Sequence, residues 1–317
     1  MSAPANPSFQ SEIARRLPDA WTGLAIAIAA VISIPVVVVA SALLVPRVDI
    51  WQQLAETVLA RYVGNSLYLM LGVGLGTAVI GVGTAWLVAL CRFPGRRLFE
   101  WALLLPLAAP AYVLAYTYTD LLDVTGPVQT HLRELFGWSV RDYWFPPVRS
   151  LGGAIAMLAL VLYPYIYLPA RVAFLEQSKS TLDASRSLGR GPWKTFATVA
   201  LPLARPAIVG GAALVLMETL NDFGTVQFFG VETFSTGIYR TWFNMGEREA
   251  AAQLAAVLLA FVFAVVTLER WTRGRTRYYQ TGNPQGQPLS YPLGFWGATG
   301  AIAACGLPVG LGFLVPG

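Results

Sequence analysis

Charge is scarce in this chain. Of its 317 residues only 12% are Asp, Glu, Lys or Arg, about half the ~25% of a soluble domain. Histidine occurs once, at His131, and cysteine twice, at Cys91 and Cys305, both at or within apolar runs. Neither a metal centre nor a disulfide framework follows from so few ligands. His131 sits in a polar loop, where solvation is the simpler reading than metal binding. There is no G-x-x-x-x-G-K-[ST] phosphate cradle, so the chain has no means of its own to hydrolyse ATP. No nucleophile, metal cluster or acid/base constellation stands out, which argues against an enzyme. Strand-type alternation is missing as well, and that excludes a porin-like barrel.

What is present in abundance is hydrocarbon. Hydrophobic residues make up 56% of the chain and mean hydropathy is +0.56. Repeated apolar runs of about 20 residues are the mark of membrane-spanning helices. The expected fold is all-α and polytopic, with six transmembrane helices at about 21–45, 64–90, 100–119, 151–174, 206–226 and 249–269. A partial seventh span covers 292–316. Arg15, Arg16 and the small residues Ala40, Ser41 and Ala42 imitate a signal peptide. The apolar run between them is too long for one, so an uncleaved anchor is expected.

Lys and Arg divide unequally between the two sets of loops. Fifteen lie in the N-terminus, at 92–97, at 171–205 and at 270–277, against seven in the others. The positive-inside rule places the first set, and the N-terminus, in the cytoplasm. The same asymmetry accounts for the net charge of +5 without nucleic acid as a partner; membrane lipid is the expected surroundings. The long loop at 120–150 is then external. Its Trp138, Tyr143 and Trp144 suit an interfacial belt, with contact to an external partner as the alternative.

Ionisable groups inside spans are costly and often functional. Glu218, Asn221 and Asp222 in the fifth span are the candidates. Glu218 and Asp222, four apart, are expected on one helix face, ~18 Å and ~24 Å along from Pro206. They would line a cation's path or tie a structural network. Tyr112 and Tyr116 share a face of the third span, with Asp120 and Asp123 beyond them. Oxygen ligands suit a hard cation such as Fe(III), and interfacial tyrosine is the plainer account. "GVGLGTAVIGVG" (72–83) reads as a small-residue packing face, not a nucleotide loop. "YPY" (163–165) and Pro169 predict a distorted fourth span.

One stretch stands apart, "DASRSLGRGPWKTFATVALP" at 183–202. It is polar, basic and punctuated by glycine and proline. Thr181 is a plausible N-cap for a short helix that Asp183 and Ala184 open. Gly189 ends or bends that helix, and Pro192 starts a second one over 193–200, which Leu201-Pro202 closes. The expected pattern is helix, glycine turn, helix along the membrane surface, resting either on anionic headgroups or against a partner.

At these residues the sequence resembles the cytoplasmic EAA loop of binding-protein-dependent ABC importer permeases. That pattern is E-A-A, three residues, G, nine residues, I-x-L-P. Here Asp183-Ala184-Ser185, Gly189 and Val199-Ala200-Leu201-Pro202 fall at those spacings. Asp stands for Glu, Ser for Ala and Val for Ile. Nearly the whole chain is similar to the N-terminal half of iron(III) importer permeases, through 106–123, 162–178, 201–230 and 236–243. The resemblance implies a MetI-like permease domain over 21–271, after a cytoplasmic N-terminal segment, 1–20. Its coupling loop, at about 176–205, would use Asp183, Ala184, Ser185, Gly189, Val199, Leu201 and Pro202 to dock a separate ATPase. It further implies a cytoplasmic linker at 272–290 and, at 291–317, the first span of a truncated second half. Implied partners are a cytoplasmic ABC ATPase dimer that binds ATP and Mg, a periplasmic solute-binding protein and a second permease half. No cofactor or metal is implied in this chain itself. Ferric iron is the implied cargo. Thiamine, a polyamine or an oxyanion would use the same loop, and an ion-coupled secondary transporter would have no ATPase for it to meet.

Overall fold

The computed structural model describes residues 20–45, 47–177, 185, 187, 189, 191–273 and 291–316. Those residues are overwhelmingly helical. Five helices are long and apolar enough to cross a membrane, and two bent pairs raise the number to seven if each pair is one span. Six spans and a seventh were expected, and the breaks explain the two that are not straight.

The first span, α1 (Ala20–Ser41), buries none of its most apolar window against the rest of the chain. A short amphipathic helix, α2 (Val48–Thr57), leads into the long α3 (Leu59–Leu90). At 1.5 Å per residue α3 is about 48 Å long, more than a ~30 Å hydrocarbon core requires. Gly72, Gly76 and Gly81 form the packing face predicted, while Gly83 has open space over it. A methyl group on Gly72 would come within 2.7 Å of Ile155, one on Gly76 within 2.8 Å of Ala159, and one on Gly81 within 2.9 Å of the Tyr163 carbonyl. With no driving force from water inside a bilayer, close backbone approach of this kind is what holds spans together.

The partners of α3 are α7 (Leu151–Leu162) and α8 (Pro164–Glu176), which meet at a 41° bend. Pro164 has no N–H for the Leu160 carbonyl, so the helix breaks where "YPY" predicted. The bend leaves that carbonyl close to Gly312, where a side chain would come within 2.7 Å of it. The core around these helices includes Leu69, Val73, Trp86, Leu158, Ile166, Tyr167 and Phe174, all nearly inaccessible to solvent.

The span expected at 100–119 is not a single helix. It divides into α4 (Arg96–Ala102), a 3-10 turn over Leu105–Ala108 and α5 (Ala111–Leu122). The segment Arg96–Ala108 lies at 88° to Ala111–Phe136. Pro106 and Pro110 each remove a helical donor from an apolar run that otherwise reads as continuous. After α5 the loop carries a further helix, α6 (Pro127–Phe136).

The polar stretch departs from expectation in one respect. Helix α9 (Pro192–Thr195) passes through a π-turn at Phe196–Ala200 directly into α10 (Leu201–Asn221). Leu201-Pro202 therefore does not close the second helix. Pro202 cannot donate to the Thr198 carbonyl, and the wider π-turn before it, with Leu201 N–H on the Phe196 carbonyl, absorbs that loss. Helix α10 ends at Asn221, short of the predicted 226. Two short helices, α11 (Gly224–Phe228) and α12 (Phe234–Tyr239), then fold over the end of the bundle before α13 (Arg248–Arg273) crosses back.

The last helix, α14 (Phe295–Val309), continues through a π-turn to Leu314. It is tied to this bundle. Strand β2 (Tyr291–Pro292) pairs in parallel with β1 (Cys91–Arg92), and the Tyr118 hydroxyl donates to the Leu311 carbonyl.

Candidate functional site

The candidate residues form two groups, at opposite ends of α10. The first is the polar segment before it. Asp183 and Ala184 lie outside the described residues, as does the expected N-cap Thr181. Ser185 is buried, and its hydroxyl shares a 3.0 Å hydrogen bond with Thr195, itself inaccessible. That bond spans the glycine turn and holds its two arms together. Gly189 has φ +73°, in the region that disfavours side chains, and open space lies over its α-carbon. Val199 and Leu201 are half-buried and Pro202 is exposed. The Gln177 side chain donates to the Ala200 carbonyl at 2.8 Å, so the end of α8 is bonded to the start of α10.

Sequence reasoning missed the aromatic cluster beneath this turn. Phe196 packs on Trp86 and Phe174, with ring centroids 4.8 and 6.3 Å away, and Tyr291 lies 6.0 Å from Trp86. Trp193 meets Phe196 edge-on at 6.4 Å and is 72% exposed. The Trp193–Phe196 spacing of three along a short helix is the signal that could have pointed to it. The cluster gives the segment a rigid connection to α3 and α8, with one large apolar ring left facing out.

The second group lies at the far end of α10. Glu218 and Asn221 are exposed on its last turn. Asp222 does not share a helix face with Glu218, because its backbone is extended (φ −63°, ψ 123°) and it stands outside the helix. Its carboxylate instead accepts from the Thr225 hydroxyl at 2.9 Å and the Val226 amide at 3.1 Å, opening α11. The Asp222 carbonyl accepts from Ser235 at 2.7 Å. The carboxylate is thus committed to two donors, in the manner of a helix cap.

Helix α11 packs against α5 and brings the predicted tyrosines into the same region. A side chain on Gly224 would come within 2.7 Å of the Tyr112 β-carbon, and Tyr116 meets Phe228 edge-on at 5.7 Å. Tyr116, Thr119, Asp120, Asp123, Arg149 and Phe228 line an open cavity of about 360 Å³. Arg149 lies 3.4 Å from Asp123 across it. The cavity therefore offers hard oxygen ligands and one guanidinium. Among the described residues no group of three or more His, Cys, Asp or Glu side chains is placed to hold a metal ion.

A clamp unforeseen in the sequence braces this end. Glu232 accepts from Arg61 at 2.9 Å and from Arg240, and its carbonyl accepts from Asn65 at 2.9 Å. The Phe234 amide donates to Ser66 at 3.2 Å. Together these fix the α11–α12 cap to the start of α3. The loop after α5 carries a stack of Phe136, Trp138 and Tyr143 at 4.5 and 5.6 Å, with Tyr143 bonded to Gln129 and Arg133.

Bent, glycine-packed spans with a buried-serine turn set before a continuous helix define a helical integral-membrane protein. The chain belongs to the family of binding-protein-dependent transport system inner membrane components, whose model matches residues 13–278. It is 29% identical over 230 residues to the Fe(3+)-transport system permease protein FbpB 2 of Haemophilus influenzae, covering 73% of this chain. It spans only 41% of that relative's length. It is 28% identical to the molybdenum transport system permease protein ModB of Escherichia coli, over 60% of this chain and 83% of that one. The sulfate transport system permease protein CysT of Escherichia coli is 31% identical, over 60% and 69%. In fold the chain is similar to a bacterial ABC transporter involved in the import of the acidic polysaccharide alginate. The TM-score there is 0.64 at 15% identity, over 85% of this chain and 99% of that chain. The MetNI methionine ABC transporter matches at 0.52 and 20% identity, over 74% and 100%.

Proposed function

We propose that this chain is a permease subunit of an ATP-driven importer, and that the segment from about 176 to 205 is its contact with the ATPase. The observation that carries this reading is the Gly189 turn. It presents a backbone with φ +73° and nothing above it, on a segment bonded at both ends to spans. Such a turn can enter a partner's groove, and the helix it begins runs unbroken through the π-turn to Asn221. Closure of an ATPase dimer would move that helix and, with it, the cap of Asp222, α11 and α12. Asp183, Ala184, Ser185, Gly189, Val199, Leu201 and Pro202 are the docking residues in this reading. The N-terminus and the coupling segment are cytoplasmic by the Lys and Arg distribution. A solute-binding protein delivers cargo to the opposite face, and a second permease half completes the pathway.

The cargo we favour is ferric iron. Support comes from the iron permease relative and from the oxygen ligands of Tyr112, Tyr116, Asp120, Asp123 and Glu218 around one end of the bundle. Arg149 in the same cavity favours an oxyanion, which the molybdenum and sulfate relatives also make a reasonable second reading. Uptake by cells expressing the chain with the ATPase, receptor and second half that this reading requires, offered iron, molybdate or sulfate in turn, separates the two. Iron uptake that Glu218→Ala reduces supports the first; oxyanion uptake that Arg149→Ala reduces supports the second and overturns the first.

For the docking claim, Gly189→Trp should abolish co-purification of the ATPase while the chain still inserts in the membrane. Retention of the ATPase at the unsubstituted level would sink it.

A further inference from the structure

Glu100 stands on α4 between two arginines. Its carboxylate is 3.2 Å from Arg171 of α8 and 3.7 Å from Arg96 on its own helix. Arg96 also donates to the Ala89 carbonyl at the end of α3, at 3.2 Å. The Glu100 carbonyl accepts from the buried Tyr167 hydroxyl of α8, again at 3.2 Å. All three charged side chains are about four-fifths covered, with exposures of 21–23%. Among the described residues no other carboxylate is paired with either arginine. Without Glu100, two partly buried guanidinium groups would share a site with no counter-charge.

The location gives this triad its interest. Arg171 lies one turn before Phe174, which packs on Trp86 and Phe196, and six residues before Gln177, which is bonded to Ala200. The end of α8 is therefore bonded to the start of α10 and packed on the ring cluster beneath the coupling segment. Helix α4, by contrast, exposes Leu98 and Trp101, at 69% and 75%. These are side chains suited to anchoring a helix in the plane of the membrane interface. Glu100 joins α8, whose end is bonded to the start of α10, to α4 with its exposed Leu98 and Trp101.

We propose that Glu100 is a positioning residue that pins the inner end of α8 to the interfacial helix α4 and so limits the travel of the coupling segment. The inference rests on the importer reading, since it is the ATPase that moves the segment. A clamp of this kind opposes closure of the ATPase dimer in the idle transporter. Its removal speeds futile hydrolysis without altering how ATP or the ATPase binds.

The test uses the assembled transporter, this chain with its ATPase and second half, in proteoliposomes. Glu100→Gln should raise basal kcat for ATP hydrolysis about threefold, the scale of one partly exposed ion pair. KM for ATP and retention of the ATPase should stay unchanged. Glu100→Asp should return most of the restraint. The exchange Glu100→Arg with Arg171→Glu re-forms the α4–α8 ion pair with its charges reversed, beside the like-charged Arg96, and should bring the rate part of the way back to wild type. If Glu100→Gln does not insert, Arg171→Gln breaks the same bond and should give the same rise. An unchanged basal kcat in the inserted single variants, or no recovery in the exchanged pair, overturns the proposal. A wild-type chain that retains no ATPase overturns the importer reading instead.

Discussion

At Glu232 a single carboxylate holds three segments of chain. Hydrogen bonding from Arg240, with Arg61 beside it, keeps its carboxyl below the ordinary value of 4.5. A depressed carboxyl contributes stability that is complete above its unfolded value and is lost as pH falls through the folded one. The clamp should thus be intact near neutrality and weaken only below about pH 4.5. Hydrogen exchange at the α12 amides should quicken as pH is lowered through that range, after correction for intrinsic rates. Glu232→Gln should remove the pH dependence and leave exchange fast throughout. A step of equal size in the variant would assign it to another group. None of this was legible beforehand, because Arg61, Glu232 and Arg240 lie up to 179 positions apart and no local spacing links them. Asp222 teaches the opposite lesson. Its spacing from Glu218 promised a shared face, and the promise failed because Asp222 leaves α10 in extended backbone and turns its carboxylate to the Val226 amide of α11.

Among the elements, α3 was the most readable. Its glycine spacing announced close packing, and the structure supplies the partners, Ile155, Ala159 and the Tyr163 carbonyl. Gly81→Ala should cost about 1–3 kcal/mol, because the added methyl meets a backbone oxygen that cannot step aside. Gly83, two residues on, has nothing within 4 Å of such a methyl. Gly83→Ala should be neutral or stabilising by up to about 1 kcal/mol. Thermal unfolding of both variants in the same detergent checks the contrast, and equal effects would contradict the packing account. The break at Tyr163-Pro164 was also readable, since a proline after a helical run removes a definite donor. The break between α4 and α5 was not. Its prolines sit in a run as apolar as any span, so hydropathy joined what the backbone divides. The π-turn at Phe196–Ala200 escaped for a related reason: Leu-Pro looked like an ending, and a wider turn made it a passage.

At the scale of the whole molecule, the two ends of α10 are the account. One end carries a turn anchored by Ser185–Thr195 over a cluster of aromatic rings; the other carries the α11–α12 cap, beside the exposed tyrosines and the open cavity. In the proposed mechanism the helix between them transmits displacement, and the π-turn at Phe196–Ala200 is the place where it would yield. Thr195→Val, which deletes the hydroxyl that bridges the turn, should loosen the turn and weaken ATPase retention. Thr195→Ser should preserve it. Measured by co-purification at matched expression, equal retention by both variants would remove the bridge from the mechanism. The overall class was legible from composition and one spaced motif, whereas the cargo was not. In the proposed reading the docking segment answers to the ATPase and not to the cargo, and the residues around the far cavity offer both oxygen ligands and a guanidinium.

The central claim is that the segment around Gly189 touches an ATPase. Trp193 stands beside that turn with its ring 72% exposed, so a photoreactive phenylalanine placed there samples whatever covers it. Irradiation of the transporter in membranes should yield an adduct of this chain with the ATPase subunit, and Gly189→Trp should suppress it. An adduct formed only with lipid, in a preparation where the ATPase is present and active, would contradict the account.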